Sequence, residues 1–311
     1  MSGSAFVFPG QGSQYVGMGY DFYKEHHEAS DVFHQAEMAL RYNLTDIIFK
    51  GPEEELNRTV NTQPAILTVS YAIYSVLKAY GLPEPVFVSG HSLGEYTALT
   101  VAKGVEFFEA VRLAYLRGKY MQESVQEEEG AMAAVLKLPP EKVEEACALA
   151  RDEGVVEPAN YNSPEQTVIS GQKRAVKKAL QIAEAMGGRA ILLKVSVPSH
   201  CSLMRPAADA FRLKLAQTPI KNLSIPLVQN YSAKDYTIAH EVRENLYRQF
   251  FSPVRWYQSI LYMVERGVDT FIEIGPKNVL TRLIEKTVPS VRVFNVGKIE
   301  DVERIREVFK R

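Results

Sequence analysis

The apolar residues of this chain fall into short unbroken runs that alternate with longer stretches of helical spacing. Ala5-Phe6-Val7-Phe8 is one such run, closed at once by Pro9-Gly10, which predicts a buried strand entering a loop. Residues 64–80 begin with Pro64, stop at Gly81 and carry apolar residues at helical intervals, so a capped helix is expected there. Pro85-Val86-Phe87-Val88 predicts a second buried strand, and Gly90-His91-Ser92-Leu93-Gly94 follows it. A helical stretch then runs from about Glu95 to Met121, with a break expected near Gly104. Strand followed by helix, repeated, predicts a parallel sheet with helices on both faces.

The middle of the chain has a different rhythm. Ala131–Leu138 is strand-like, Pro140–Arg151 helix-like, and Val155–Asn160 and Gln166–Ser170 are both strand-like. Lys173–Met186 returns to helical spacing and Ala190–Val195 is again a strand. The order β-α-β-β-α-β is that of a ferredoxin-like unit. A small domain is therefore expected at 127–196, inserted into a larger one made of 1–126 and 197–311. The strand Asp269–Ile274, ending in Gly275-Pro276, belongs with the larger domain. No internal repeat or low-complexity tract interrupts this plan.

Composition adds exclusions. At 311 residues and 46% hydrophobic content, the chain can bury a large core. A net charge of −1 gives no push toward nucleic acid or membrane. No apolar run reaches the length of a membrane span, and the start lacks the flank and core of a signal peptide. With only Cys147 and Cys201 there is no disulfide framework, and a cytoplasmic location is the expectation. The balanced total hides an asymmetry. Residues 121–157 hold ten acidic and three basic side chains, and 166–215 hold nine basic and two acidic. Two solvated faces would account for this; a basic docking surface for an acidic partner protein is the sharper alternative.

The chemistry begins at Gly90-x-Ser92-x-Gly94. A nucleophile on a sharp strand-to-helix turn needs small residues two before and two after it, because the backbone crowds there. The pattern also occurs by chance, but here it lies between an expected strand and an expected helix. Ser92 would stand at a helix N-terminus, where amide groups and the macrodipole favour a developing oxyanion, and the N–H of Leu93 is the natural first donor. A serine hydroxyl needs a base. Of the six histidines, His26, His27, His34 and His240 lie in polar, helix-like surroundings, and His91 adjoins the serine with its side chain expected to point away. His200 follows the last small-domain strand and Val197-Pro198-Ser199, at the return to the large domain. Lone histidines near strand ends are commonly structural, so distance must decide its role.

Other chemistries fit less well. Gly10-Gln11-Gly12 starts like a dinucleotide loop, but Tyr15 stands at the third glycine. There is no phosphate-binding G-x-x-x-x-G-K-[ST] loop and no H-E-x-x-H metal spacing. Cys201 beside His200 is expected to be a small core residue rather than a nucleophile.

Seven segments resemble the motif blocks of the malonyl-CoA:acyl carrier protein transacylase family. They are Pro9–Gln14, Thr62–Ala65, Gly90–Glu95, Asn160–Pro164, Val197–His200, Gln249 with Ser252–Val254, and Phe271–Pro276, in the family's order and over nearly the whole chain. The resemblance implies an α/β fold with a hydrolase-like large domain, an inserted ferredoxin-like small domain, and the active site in the cleft between them. It implies that malonyl passes from malonyl-CoA to acyl carrier protein through an acyl-serine on Ser92, with His200 as general base and then acid. Gln249 would orient His200 through its backbone carbonyl. The amides of Gln11 and Leu93 would form the oxyanion hole, and Arg117 would hold the malonyl carboxylate. No metal or redox cofactor, nucleic acid or membrane is implied, and a monomer is expected. One departure is visible: Lys277-Asn278 follows Gly275-Pro276, where the family commonly has a second glycine, which puts the local turn in question.

Arg117 also has support from spacing. Ala110, Leu113, Ala114 and Met121 surround it at helical intervals while Arg112 and Lys119 point nearly opposite. A snorkelling side chain would give the same pattern. An inward arginine, however, needs an anionic partner, and a guanidinium matches a carboxylate bidentately. Two rival functions remain at this point. A serine thioesterase would share the elbow but would normally carry an Asp or Glu between serine and histidine and would not need Arg117. A non-catalytic module binding carrier protein or coenzyme A would not need both Ser92 and His200. A closer relative is an acyltransferase for a branched extender unit in polyketide synthesis.

Overall fold

A computed structural model describes residues 3–124, 129–193, 195 and 197–309. Its strands, in chain order, are β1 (Gly3–Phe8), β2 (Phe87–Gly90), β3 (Gly130–Leu136), β4 (Val156–Ser163), β5 (Gln166–Gln172), β6 (Arg189–Leu192), β7 (Leu227–Gln229), β8 (Lys234–Tyr236), β9 (Val268–Ile274) and β10 (Arg292–Val296). They form two sheets. The larger has the order β10-β9-β1-β2-β7-β8, parallel throughout except for β8, which runs antiparallel to β7 at the edge.

The short apolar run at the N-terminus explains why this sheet is covered on both sides. Alternate residues of a strand point to opposite faces. Phe6 and Phe8 enter one core, with Ile66, Val69 and Ile73 of the helix Thr59–Ala79. Ala5 and Val7 enter another, with Trp256, Ile260 and Met263 of the helix Trp256–Glu265. The run is thus a fully buried parallel strand, as expected.

Several element boundaries differ from expectation. β4 runs on to Ser163 rather than ending at Asn160, β6 stops at Leu192 rather than at Val195, and the helix after β3 stops at Leu149 rather than at Arg151. The helix expected from Pro64 starts at Thr59. The Thr62 hydroxyl ties this early turn to the preceding segment by donating to the Leu56 carbonyl at 2.5 Å, and Pro64 falls in the second turn, where it removes only the bond to the Val60 carbonyl. The strand expected at 85–88 runs instead from Phe87 to Gly90, and Val86 is exposed. The long helical stretch breaks where Gly104 predicts, into Gly94–Val101 and Phe107–Glu123.

The smaller sheet is antiparallel with the order β4-β5-β3-β6, the ferredoxin-like arrangement expected of β-α-β-β-α-β. The helices Pro140–Leu149 and Lys173–Ala185 cover one face, meeting Ala131, Ala133 and Val135. Met132, Ala134, Ala159 and Val168 form the opposite, helix-free face. The expected edges of this unit, residues 127 and 196, lie outside the described residues, as does Lys194 of the expected strand 190–195.

The departure at Lys277 is accommodated without a second glycine. Lys277 itself takes the left-handed conformation, φ 61°, where glycine is normally preferred. Its ammonium donates to the carbonyl of Gly12 at 3.1 Å, tying this turn to the loop after β1.

Candidate active site

β1 and β2 run side by side, with Phe8 opposite Gly90, so the loops at their carboxyl ends meet. The turn after β2 has no room for side chains at its glycines. A Cβ on Gly90 would lie 2.0 Å from the Gly94 carbonyl carbon, and one on Gly94 would lie 2.0 Å from the Phe8 carbonyl oxygen. A Cβ on Gly10 would meet the His91 carbonyl oxygen at 2.3 Å. The expected reason for the G-x-S-x-G spacing therefore holds. Ser92 sits at the apex with φ 52°, just ahead of the helix Gly94–Val101. Asn230, immediately after β7, stitches the turn: its Oδ1 accepts the Ser92 N–H at 2.7 Å, and its Nδ2 donates to the Gly90 carbonyl at 2.7 Å.

His200 arrives from the other side of the cleft, also at positive φ, 62°. Its backbone N–H donates to the Phe250 carbonyl at 3.1 Å. The imidazole lies between two oxygens: Nδ1 is 2.8 Å from the Gln249 carbonyl and Nε2 is 2.7 Å from Ser92 Oγ. A carbonyl only accepts, so Nδ1 carries the proton and bare Nε2 accepts the serine O–H. Burial holds the imidazole down to about 3, and the Arg117 charge adds to that effect. His200 is therefore neutral, in its basic form, through the physiological range.

Arg117 lies in the core at 1% exposure, as its helical stripe predicts. Its Nη1 donates to Gln63 Oε1 at 2.9 Å, and its Nη2 donates to Gln249 Oε1 at 3.0 Å and to Ser92 Oγ at 3.2 Å. The rings of Tyr96 and Phe250 stand 5.5 and 5.2 Å from its guanidinium carbon. Two glutamine carbonyls thus fix the plane of the guanidinium while its edge borders the Ser92 hydroxyl. Its partners are all neutral, and Nε has none among the described residues. A buried cation so placed is set up to receive an anion.

The cleft over Ser92 holds about 120 Å³ of water-sized space, with Gln11, Gln63 and His91 on its polar side and Met121, Met132 and Val197 on its apolar side. Met132 comes from the helix-free face of the small sheet, so the two sheets close the site together. Among the described residues the backbone amides of Gln11 and Leu93 donate to no acceptor. His91 lines the cleft too; its Nε2 pairs with Asn162 Oδ1 at 2.8 Å and, as expected, it does not bond to Ser92. Cys201 is fully buried and its thiol is pushed up to about 11, chiefly by burial, the inert core residue expected. Among the described residues no group of three or more His, Cys, Asp or Glu is arranged to hold a metal ion, and no helix is long and apolar enough to cross a membrane.

A serine hydroxyl hydrogen-bonded to a neutral histidine, with a fixed cation and free amides next to it, is an arrangement suited to acyl transfer. A family model for the acyl transferase domain matches residues 5–307. The chain belongs to the acyl transferase family. Among members of that family, the malonyl CoA-acyl carrier protein transacylase of Escherichia coli strain K12 is 45% identical over 292 residues, 94% of each chain. The protein of the same name from Bacillus subtilis strain 168 is 41% identical, over 100% of this chain and 98% of its own length. The solved structure of malonyl CoA-acyl carrier protein transacylase from Coxiella burnetii matches with a TM-score of 0.97 at 41% identity, covering 100% of this chain and 98% of that one. A malonyl-transacylase solved in complex with a type II PKS acyl-carrier protein matches with a TM-score of 0.97, also at 41% identity, over 99% and 100% of the two chains.

Every candidate site residue of the sequence lies at or beside this acyl transferase site. Ser92, His200, Gln249 and Arg117 are joined by direct hydrogen bonds, and Gln11 and Leu93 flank them. Among the described residues, three further buried polar side chains hydrogen-bond to those first four. Gln63 carries a sequence signal, as part of the Thr62–Ala65 block. Asn230 carries none, because an asparagine after an unremarkable strand looks like any turn residue. Glu95 is legible only as part of the elbow block.

Proposed function

We propose that this chain transfers malonyl from malonyl-CoA to the phosphopantetheine thiol of acyl carrier protein through a covalent acyl-serine. The observation that carries the reading is the placement of Arg117 Nη2 3.2 Å from Ser92 Oγ, a cation set to bind a carboxylate on the very acyl group that the serine attacks. His200 Nε2 takes the Ser92 proton as Oγ attacks the thioester carbonyl. The tetrahedral oxyanion is held by the N–H groups of Gln11 and Leu93. Collapse breaks the C–S bond, and the imidazolium returns its proton to the departing coenzyme A sulfur. The carrier thiol then gives its proton to His200 and attacks the malonyl-serine ester, and Ser92 leaves with that proton. Gln249 keeps the imidazole in the required tautomer through its backbone carbonyl, the place a carboxylate fills in a hydrolase triad. That substitution speaks against a thioesterase.

The division into 1–126 with 197–311 and an inserted 127–196 suits this chemistry, because the small unit roofs the cleft with its helix-free face. A cytoplasmic location suits the two substrates. The test is intact-mass spectrometry after mixing the protein with malonyl-CoA. Wild type gains one malonyl group, Ser92→Ala gains none, and carrier protein discharges it. A malonyl adduct on Ser92→Ala at the wild-type rate ends the nucleophile assignment, and release of free malonate matching malonyl-CoA loss would make the protein a hydrolase.

A further inference from the structure

Glu95 lies in the first turn of the helix that follows the nucleophile and is completely buried. The acyl transfer steps give it no part. Its Oε2 accepts the Asn230 N–H at 2.8 Å and Gln249 Nε2 at 3.0 Å, and its Oε1 accepts Gln229 Nε2 at 2.8 Å. Each partner is a donor, the arrangement of an ionised carboxylate. The Gln249 amide passes the contact on, since its Oε1 accepts from Arg117 Nη2 at 3.0 Å. One primary amide thus separates a buried carboxylate from a buried guanidinium whose direct partners are neutral.

We propose that Glu95 is the resident counter-charge of Arg117, acting through the Gln249 amide, and that it sets how strongly the site favours acyl groups bearing a carboxylate. The inference rests on the acyl-transfer reading above. While Glu95 is ionised, part of the guanidinium's field is already offset, and an incoming carboxylate gains less. While Glu95 is neutral, the cation is uncompensated and the carboxylate gains more. An acyl group without a carboxylate is indifferent to either state. Burial pushes the Glu95 carboxyl up to about 7, ahead of its amide donors and Arg117, which pull it down. Its charge therefore changes within the working range of pH. The titratable groups that face it are Arg117 of the helix Phe107–Glu123 and the neighbouring Tyr96. Among the described residues, the β7 end and the helix Ala239–Gln249 bond to it through the amides of Gln229, Asn230 and Gln249, and Asn245 in turn donates to Gln229.

The test is kcat/KM for enzyme acylation by malonyl-CoA and by acetyl-CoA from about pH 6 to about pH 8.5, a window in which the substrate carboxylate stays ionised. His200 serves both substrates, so its titration cancels in their ratio. In wild type the malonyl-to-acetyl ratio falls roughly tenfold as pH rises through the Glu95 transition, mostly through KM. Glu95→Gln keeps an acceptor for Asn230 and Gln249 but cannot ionise, so its ratio stays flat at the high, acid-side value. A wild-type ratio that does not change with pH overturns the proposal, and this arm needs no variant to fold. A Glu95→Gln ratio at or below that of wild type at the alkaline end also overturns it, leaving Glu95 a purely structural acceptor. A wild type that forms no malonyl-serine is a different outcome, which sinks the acyl-transfer reading itself.

Discussion

Ser92 and His200 meet at 2.7 Å from two backbone positions that non-glycine residues avoid, φ 52° at the serine and 62° at the histidine. Such positions persist only where the surroundings over-determine them, and both surroundings are visible. Asn230 holds the Ser92 N–H, and the Phe250 carbonyl holds the His200 N–H. Both residues are aimed across the cleft by backbone geometry rather than by a choice of rotamer alone.

Strain at Ser92 has a measurable consequence. Ser92→Gly and Ser92→Ala both remove the hydroxyl, but only glycine is at ease at this φ. Ser92→Gly is expected to be more stable than Ser92→Ala by about 1 kcal/mol in urea denaturation at equal m. Equal midpoints would show that the elbow stores no strain at Ser92.

The elbow glycines are legible in the sequence, because crowding at a strand-to-helix turn dictates small residues at fixed offsets. The ferredoxin-like order is legible because β3 to β6 are linked locally. Strands β7, β8 and β10 leave no clear pattern: β7 and β8 span only three residues each, and β10 has mixed burial. The reach of Arg117 to Gln63 and Gln249 spans 54 and 132 residues in sequence, and no periodicity encodes such pairs. Asn230 is the extreme case, joining Gly90 and Ser92 across 140 and 138 residues.

Asn230→Ala therefore offers a test of a residue whose role exists only in three dimensions. It strips a partner from the buried Gly90 carbonyl and the Ser92 N–H at once. Stability is expected to fall by about 2–6 kcal/mol, since each of the two groups left unpaired costs about 1–3 kcal/mol. The acylation rate should fall as well, because the apex turn loses its tether. Unchanged acylation in a folded Asn230→Ala protein would show that the turn holds its shape without that side chain.

His200 couples pH to stability with a definite sign. Its folded-state pKa, held down to about 3 mainly by burial, lies below the ordinary histidine value. The unfolded chain therefore binds more protons between the two, and stability is present above about pH 6.5 and lost as pH falls below it, by at most about 1.4 kcal/mol per pH unit. Glu95 and Glu273, each pushed up to about 7 by burial, act in the opposite sense below pH 7, so total stability is a poor readout. The difference between wild type and His200→Gln in urea denaturation isolates the histidine. That difference is expected to narrow from pH 7 to pH 5, whereas a constant difference would mean that His200 titrates normally in the fold.

The basic stretch 166–215 is less exposed to partners than its charge count implies. Arg174 pairs with Glu153 at 2.9 Å and Lys178 pairs with Asp152, so the acidic and basic stretches partly neutralise each other within the small unit. Lys173 and Lys177 are exposed and lie on the same helix. If this face docks acidic carrier protein, Lys173→Ala with Lys177→Ala should raise KM for carrier protein several-fold and flatten its salt dependence. Arg174→Ala with Lys178→Ala should do less, and acylation by malonyl-CoA should be untouched in both. Identical carrier kinetics in all three proteins would leave the stretch a solvated face.

Arg117 should govern which acyl group is accepted rather than whether the serine reacts. It is anchored by two glutamine carbonyls that hold its plane and leave its edge beside Ser92 Oγ. Truncating one partner of a buried charged pair costs about 3–5 kcal/mol, because the other charge is left desolvated and unpaired. Arg117→Ala is therefore expected to lower kcat/KM for malonyl-CoA by roughly two to four powers of ten. Acetyl-CoA has no carboxylate to lose, and its slow transfer should persist or improve once the buried cation is gone. Removing that cation also removes one of the influences that depress His200, so any acid limb of the acetyl reaction should move to higher pH. Arg117→Lys should rescue malonyl transfer only in part, since an ammonium cannot span Gln63 and Gln249 while forking onto a carboxylate. The deciding measurement is the malonyl-to-acetyl ratio of kcat/KM in wild type and Arg117→Ala. Equal losses for the two substrates would mean that Arg117 supports the fold or the coenzyme A moiety, and its role in selectivity would be lost.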